Sequence, residues 1–282
     1  MKLISTLGPA GTFTEVAAKK YIDSIGVGKE NYHIRFYPTI SKAFGVIGNE
    51  CDQGIIPIEN ALEGYVQPTL DLLVHTGLKI IREVVIPIRF SFVSNSKSIQ
   101  DLKRVFVQFQ SQGQCSKFLE QFACDQIITT ESNSRSYHEA LNGIPEEGSV
   151  IPRHLLDERN FPYSIEDITD SQENKTRFIV VSKEEAIYSP EQKYKTSLVV
   201  LNGEAEINEP GWLVKILKEF SDRKINLTSI MSRTTKKTLG KYHFFMDLEG
   251  RFPEDSIVRE AIEKINRNYA VKVLGSYYCV GM

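Results

Sequence analysis

Cysteine is scarce and scattered: Cys51, Cys115, Cys124 and Cys279 form no Cys-x-x-Cys pair and have no histidine at ligand spacing. That pattern excludes a disulfide framework and the common zinc sites, and it implies reduced thiols in the cytoplasm. The five histidines make no ligand pattern either, so no metal is expected. No apolar run approaches the roughly twenty residues that a bilayer span needs, so no membrane partner is expected. The start, Met1-Lys2-Leu3-Ile4-Ser5-Thr6-Leu7-Gly8-Pro9, turns polar too soon for a signal peptide. Neither sign of charge dominates, because 34 Lys plus Arg against 36 Asp plus Glu leave a formal charge of -2. A basic footprint for nucleic acid is therefore missing. Gly-x-Gly-x-x-Gly and the phosphate-binding Gly-x-x-x-x-Gly-Lys loop are absent too, and no nucleotide or other cofactor is implied.

What remains is an ordinary globular composition, 41% hydrophobic and 25% charged over 282 residues, too long for one comfortable core. Two domains are expected. Residues 3–7 read as a strand ended by Gly8-Pro9-Ala10-Gly11, and Thr12-Phe13-Thr14-Glu15 reads as a capping box opening a helix. Free N–H groups there favour an anion, although an ordinary strand-turn-helix joint explains the same residues. A helix near 41–47 leads to the strand 54–58, whose polar exit is Glu59-Asn60-Ala61-Leu62-Glu63-Gly64. Pro68 suits the first turn of the next helix. Around 79 the chain is expected to cross into another lobe. There the strand 105–107 precedes a helix with Cys115, Phe118, Leu119 and Phe122 on one face, and Ser132-Asn133-Ser134 caps another. The alternation of strand and helix to about residue 185 argues α/β with a largely parallel sheet. Small polar residues at the joints, Thr12, Ser111, Ser132 and Ser134, would line a cleft suited to a dicarboxylate if they converge.

The stretch Asn174-Lys175-Thr176-Arg177-Phe178 runs into the apolar strand Ile179-Val180-Val181. It sets an amide, a hydroxyl and a guanidinium fork side by side. On these residues alone a structural salt bridge for Arg177 is the simpler reading. After a linker at 188–193 the order becomes strand, helix, strand, strand, helix, strand, the ferredoxin-like βαββαβ split.

Together these segments resemble monofunctional prephenate dehydratases with a C-terminal ACT regulatory domain. The resemblance is carried in family order by Gly8-Pro9-Ala10-Gly11-Thr12-Phe13, Pro57-Ile58-Glu59-Asn60 with Glu63-Gly64, Gln114-Cys115 and Asn174-Lys175-Thr176-Arg177-Phe178. It continues through Gly211-Trp212-Leu213, Ile225-Asn226-Leu227-Thr228 and Leu274-Gly275-Ser276-Tyr277. It implies a two-lobed, periplasmic-binding-protein-like catalytic domain at 1–185, with lobes at 1–78 plus 160–185 and at 79–159. An ACT domain at 194–282 completes the chain. It also implies decarboxylating dehydration of prephenate to phenylpyruvate without a cofactor. Thr176 is then the group at the leaving hydroxyl, with Asn60 and Gln114 as further catalytic residues. Thr12, Glu59, Ser132, Asn133, Arg177 and Phe178 are the expected substrate contacts. Gly211, Trp212, Leu213, Asn226, Leu227 and Thr228 would hold L-phenylalanine as effector between ACT domains of a homodimer or homotetramer.

The chain departs from the family pattern in three places. The usual Ser-His-Pro reads Val107-Gln108-Phe109, which replaces a substrate-contacting serine by an apolar residue. The usual Glu-Ser-Arg-Pro reads Met231-Ser232-Arg233-Thr234, and Gly-Ala-Leu reads Gly211-Trp212-Leu213. Tryptophan for alanine either crowds the effector site or fills the domain's own core. An arogenate dehydratase, a non-aromatising prephenate decarboxylase and a catalytically silent amino-acid-binding regulator are the competing readings.

Overall fold

The structure is a computed structural model and describes residues 1–201 and 210–281. The first sheet begins with β1 (Lys2–Leu7), β2 (Tyr32–Tyr37) and β3 (Gln53–Asn60), linked by α1 (Phe13–Ile25) and α2 (Ile40–Gly45). These strands pair in parallel, as strand-helix-strand crossovers require. The two-residue β4 (Gly64–Tyr65) folds back on β3, and α3 (Gln67–His75) leads into β5 (Lys79–Pro87).

The second sheet holds β6 (Phe90–Ser94), β7 (Arg104–Gln108), β8 (Ile127–Thr130), β9 (Glu147–Pro152) and β10 (Tyr163–Ile165). Its helices are α4 (Phe109–Gln114), α5 (Ser116–Leu119) and α6 (Asn133–Asn142). The chain then returns as β11 (Lys175–Ser182), which enters the first sheet antiparallel between β3 and β5. Both sheets are mixed where a largely parallel one was expected: in the first the return strand β11 runs against β3 and β5, and in the second β6 runs against its neighbours β9 and β10. The crossing also lies later than 79. β5 stays in the first sheet with Ile80 on one face and Ile81 and Val84 on the other, and β6 is the first strand of the second. The return lies later than 160 as well, since β10 still pairs with β6.

The third sheet contains β12 (Lys195–Leu201), α7 (Trp212–Ser221), β13 (Leu227–Thr234), β14 (Tyr242–Glu249), α8 (Ser256–Asn266) and β15 (Ala270–Tyr277), with strand order β13-β14-β12-β15. The expected βαββαβ order is present. One face packs on its own helices through Leu198, Val200, Met246 and Leu248. The other face joins the first lobe, where Val199, Phe245, Leu274 and Tyr277 share a core with Leu70, Leu73, Ile80 and Ile179. After β15, the short β16 (Cys279–Val280) leaves this sheet and pairs with β5. No helix among the described residues is long and apolar enough to cross a membrane.

Polar contacts hold the same junction. Arg233 on β13 forks onto Asp71 of α3 with Nε at 2.9 Å and Nη2 at 2.8 Å. Lys272 donates to the carbonyls of Leu73 and Val74 at 2.8 Å, a cation at the negative end of α3. Where β15 crosses β5 the backbones touch: a Cβ at Gly275 would lie 2.1 Å from the Ile80 carbonyl oxygen. Only glycine permits that approach. Gly275→Ala is therefore expected to lower the midpoint of thermal unfolding by roughly 5–10 °C. An unchanged midpoint in a calorimetric scan would show that the crossing can open without loss.

Candidate active site

A cavity of about 500 Å³ lies between the two lobes. The first lobe lines it with Phe13, Asn60, Glu63, Tyr65 and Thr176, and the second with Gln108, Ser111, Gln114 and Asn133. Its location is set by an irregularity in β3. From Ile55 to Pro57 that strand pairs with β11 in simple register: Ile55 lies opposite Val180, Ile56 opposite Ile179 and Pro57 opposite Phe178. The next pairs are Glu59 with Arg177 and Asn60 with Thr176, so Ile58 is the extra residue of a bulge. Strict alternation would put Asn60 on the face of Ile56 and Ile58, turned from the cleft. The bulge moves it opposite Thr176 and onto the same face. Pro57 is compatible with a central strand only at such an irregularity, and it was the signal in the sequence that could have revealed it.

On the cleft face a chain of amides ends at the Thr176 hydroxyl. Asn60 accepts from the N–H groups of Leu62 and Glu63 through Oδ1, at 2.9 and 3.0 Å, which fixes the orientation of its amide. Its Nδ2 then donates to Thr176 Oγ1 and to Asn174 Oδ1, both at 2.9 Å. Asn174 is fully buried and passes the pattern on, with Nδ2 donating to Gln114 Oε1 at 2.8 Å. Gln114 lines the cleft, and with its Oε1 taken by Asn174 its amide nitrogen remains as a donor. The Thr176 oxygen already accepts a bond, which leaves its proton for an acceptor in the cleft. Thr176, Asn60 and Gln114, distant in sequence, form one hydrogen-bonded unit across both lobes. Asn174, read from the sequence only as an amide beside Thr176, is the link that joins them.

On the second-lobe wall, Gln108 caps α4 by accepting from the N–H groups of Gln110 and Ser111, at 2.9 and 3.1 Å. Ser111 Oγ donates to Asn133 Oδ1 at 2.7 Å, so the Asn133 Nδ2 is free to face a ligand. Gln108 thus takes over the start of the helix where the family's serine motif is missing. Phe109, 74% exposed, contributes nothing to the wall. Cys115 is buried at the break between α4 and α5, and burial pushes its thiol up to about 12, so it is no nucleophile.

Several expected contacts do not reach the cleft. Arg177 follows Thr176 on β11 and points through the sheet, away from the cavity. Its Nη1 lies 2.6 Å from Asp247 Oδ2 and 3.3 Å from Glu83 Oε2. Its Nε lies 3.1 Å from Glu59 Oε2 at an angle too poor for a hydrogen bond, so that contact is purely ionic. Burial alone would lower the guanidinium pKa; Asp247, with Glu83, holds it above the ordinary value. Arg177 is thus held chiefly by Asp247 and Glu83, with Glu59 beside it, and the structural salt bridge is the correct reading. Phe178 is buried in the first-lobe core with Ile55 and Val180. Thr12 and Ser132 stand at helix starts outside the cavity wall. Ser132 accepts from Arg135 N–H as a helix cap. Thr12 donates to the Leu7 carbonyl at 3.4 Å and caps no helix N–H, while Glu15 accepts from Gly11 N–H at 2.6 Å, so only the acidic half of the expected capping box forms, one residue early.

The loop before α1 serves the lobe junction. Ser134 Oγ donates to the Ala10 carbonyl at 2.7 Å, and His154 Nε2 lies 3.2 Å from the Gly11 carbonyl. Burial pushes the His154 imidazole below its ordinary pKa although the carbonyl opposes this, so the ring donates as a neutral group.

The prephenate dehydratase family model matches residues 4–186, and the ACT domain model residues 200–265. The chain belongs to the prephenate dehydratase family. The bifunctional chorismate mutase/prephenate dehydratase of Aquifex aeolicus is 34% identical over 97% of this chain and 73% of its own length. The prephenate dehydratase of Methanocaldococcus jannaschii is 32% identical over 95% of each. The crystal structure of prephenate dehydratase from Arthrobacter aurescens in complex with L-Phe superposes with a TM-score of 0.81 at 31% identity, covering 98% of this chain and 90% of that one. The activity is the decarboxylating dehydration of prephenate to phenylpyruvate in phenylalanine biosynthesis, with an ACT domain for feedback. The fold is the two-lobed periplasmic-binding type followed by ACT.

If Asn174 orients both Asn60 and Gln114, Asn174→Ala should lower kcat by roughly tenfold or more without touching substrate. A kcat within twofold of wild type would show that the two amides orient themselves.

Proposed function

We propose that Thr176 donates the hydrogen bond that lets the ring hydroxyl leave, and that Asn60 and Gln114 support it. The observation that carries this reading is the Asn60 Nδ2 bond to Thr176 Oγ1, 2.9 Å long, which directs the hydroxyl proton into the cleft. In the reaction the C–C bond to the ring carboxylate breaks, and its electron pair enters the ring. The C–O bond breaks on the opposite side and hydroxide leaves, taking up a proton to become water. The electrons gained by the ring are those lost with hydroxide, so the balance needs no redox partner. A hydroxyl as weakly acidic as threonine's serves as a hydrogen-bond donor more readily than as a full acid. The substrate's carboxylates then rest on neutral donors, the amides of Gln114, Asn133 and Gln108. Glu63 is the single charged side chain on the described cavity wall.

L-phenylalanine is proposed as the feedback effector, bound near Gly211, Leu213, Asn226, Leu227 and Thr228 in a homodimer or homotetramer assembled through ACT. Two observations support this. Trp212 packs inward, its ring 5.0 Å from Phe244 and 5.9 Å from Tyr269, so most of its bulk goes into the domain's own core. β13 is an outer strand, with Ile230 on it exposed. Asn226 and Thr228 are exposed beside it. A cytoplasmic location fits the dispersed thiols.

The test is turnover of prephenate by the purified protein, with phenylpyruvate followed by absorbance in alkali. Thr176→Ala is expected to lower kcat by roughly a hundredfold or more with a smaller change in KM. Near-unchanged turnover would remove Thr176 from the mechanism. Consumption of prephenate without phenylpyruvate would favour the decarboxylase.

A further inference from the structure

The ladder that presents Asn60 and Thr176 to the cleft has a second, buried face. Each catalytic residue is next in the chain to a charged one that points the other way: Glu59 before Asn60, and Arg177 after Thr176. Glu59 and Arg177 are themselves opposite each other across the ladder. Behind them stands Glu83 on β5, 2% exposed, which also takes Lys195 at 2.9 Å. Asp247 on β14 closes the group from the ACT side, 2.6 Å from Arg177 Nη1. It is held from behind in turn. Ser197 Oγ donates to Asp247 Oδ1 at 2.5 Å and lies 2.6 Å from the hydroxyl of the fully buried Tyr277.

We propose that Asp247 is a positioning residue for the dehydratase reaction: by fixing Arg177 it sets the alignment of Asn60 and Thr176 in the cleft. The geometry makes the link short. Arg177 Nη1 is shared unequally, 2.6 Å from Asp247 and 3.3 Å from Glu83. Without the Asp247 charge the guanidinium has only Glu83 and Glu59 and is drawn toward them. Successive strand residues project to opposite faces, so a turn of the peptide at Arg177 swings Thr176 the other way. Its bond to Asn60 at 2.9 Å sits directly across the bulge, the most deformable point of the ladder. A regulatory domain thereby supplies part of the framework of the catalytic site. The proposal rests on Asn60 and Thr176 being the reacting pair.

The experiment uses the full chain with Asp247→Asn, which keeps the size and one acceptor but removes the charge. Arg233→Met is the comparison, because it breaks an ACT contact of similar burial on α3 that does not touch β11. Asp247→Asn is expected to lower kcat about tenfold or more with KM for prephenate within about threefold. Arg233→Met is expected to keep kcat within about twofold. A kcat within twofold in Asp247→Asn overturns the proposal, and so does an equal loss in Arg233→Met, which would show that any loosening of the ACT junction suffices. If Asp247→Asn does not fold by circular dichroism, Ser197→Ala removes only the hydroxyl that aims Asp247. It should then lower kcat about threefold or more at unchanged KM, and an unchanged kcat overturns the proposal. Turnover retained in Thr176→Ala overturns the reading of the reacting pair, and this proposal with it. Loss in Thr176→Ala beside an unaffected Asp247→Asn overturns this proposal alone.

Discussion

One extra residue in β3 determines what the rest of the molecule can do. Ile58 shifts the pairing with β11 by one position, and this alone places the Asn60 amide opposite the Thr176 hydroxyl. A one-residue slip in a strand reverses the face of every later side chain. Without it the cleft would receive Glu59 and the buried side would receive Asn60, an arrangement in which neither group has a suitable partner. The bulge is held open from both sides. β4 pairs with Glu59 and Asn60 on one edge, and on the other the Ala61 N–H donates to the Lys175 carbonyl at 2.9 Å.

The same shift explains why the ACT sheet lies so close to the chemistry. It gathers Glu59 and Arg177 on the back of the ladder, where an unpaired charge would be costly to bury. Asp247 and Glu83 compensate Arg177, and Lys195 compensates Glu83. Truncating one member of such a group leaves an uncompensated charge and costs about 3–5 kcal/mol. The catalytic domain and the ACT domain are for this reason not independent units joined by a linker. They share an apolar core, the Gly275 crossing and this ion cluster. Tyr65, a residue of the cleft wall, also reaches Ser229 of β13 through its hydroxyl.

The lobes, the ACT order and the family were legible in the sequence because they depend on periodicity, turn residues and ordered motifs, each a local signal. That Thr176, Asn60 and Gln114 come together was suggested only by the resemblance, since nothing local says that three residues so far apart in the chain will meet. Strand partners were not legible. The sequence around β11 shows an arginine beside a threonine and invites both into one site, but the pleat sends them to opposite faces. Asn174 looked like a cleft group and is a fully buried connector, because its two hydrogen bonds are long-range contacts that only the fold creates. β2 and the short β4, β10 and β16 were missed for a similar reason: their pairing comes from the sheet they join more than from their own residues.

The turned-away arginine also bears on the energetics of the reaction. Loss of carbon dioxide converts a carboxylate into a neutral molecule, so negative charge leaves that end of the substrate as the transition state forms. It accumulates on the departing hydroxide at the opposite end of the ring. A cation held against the scissile carboxylate would stabilise the ground state more than the transition state and would slow the reaction. Neutral donors hold that carboxylate with less bias. At the other end, a donor fixed in advance gains strength as the hydroxide develops charge, because it needs no reorganisation at the moment of bond breaking. In the proposed mechanism Thr176 would meet that requirement through Asn60, whose own amide is locked by two backbone N–H groups. A cleft whose described wall carries no cationic side chain, backed by an arginine bound to three carboxylates, fits the direction in which charge moves in the proposed step. Glu59, Glu83 and Asp247 thus hold a strong cation on the far face of the ladder, away from the cleft.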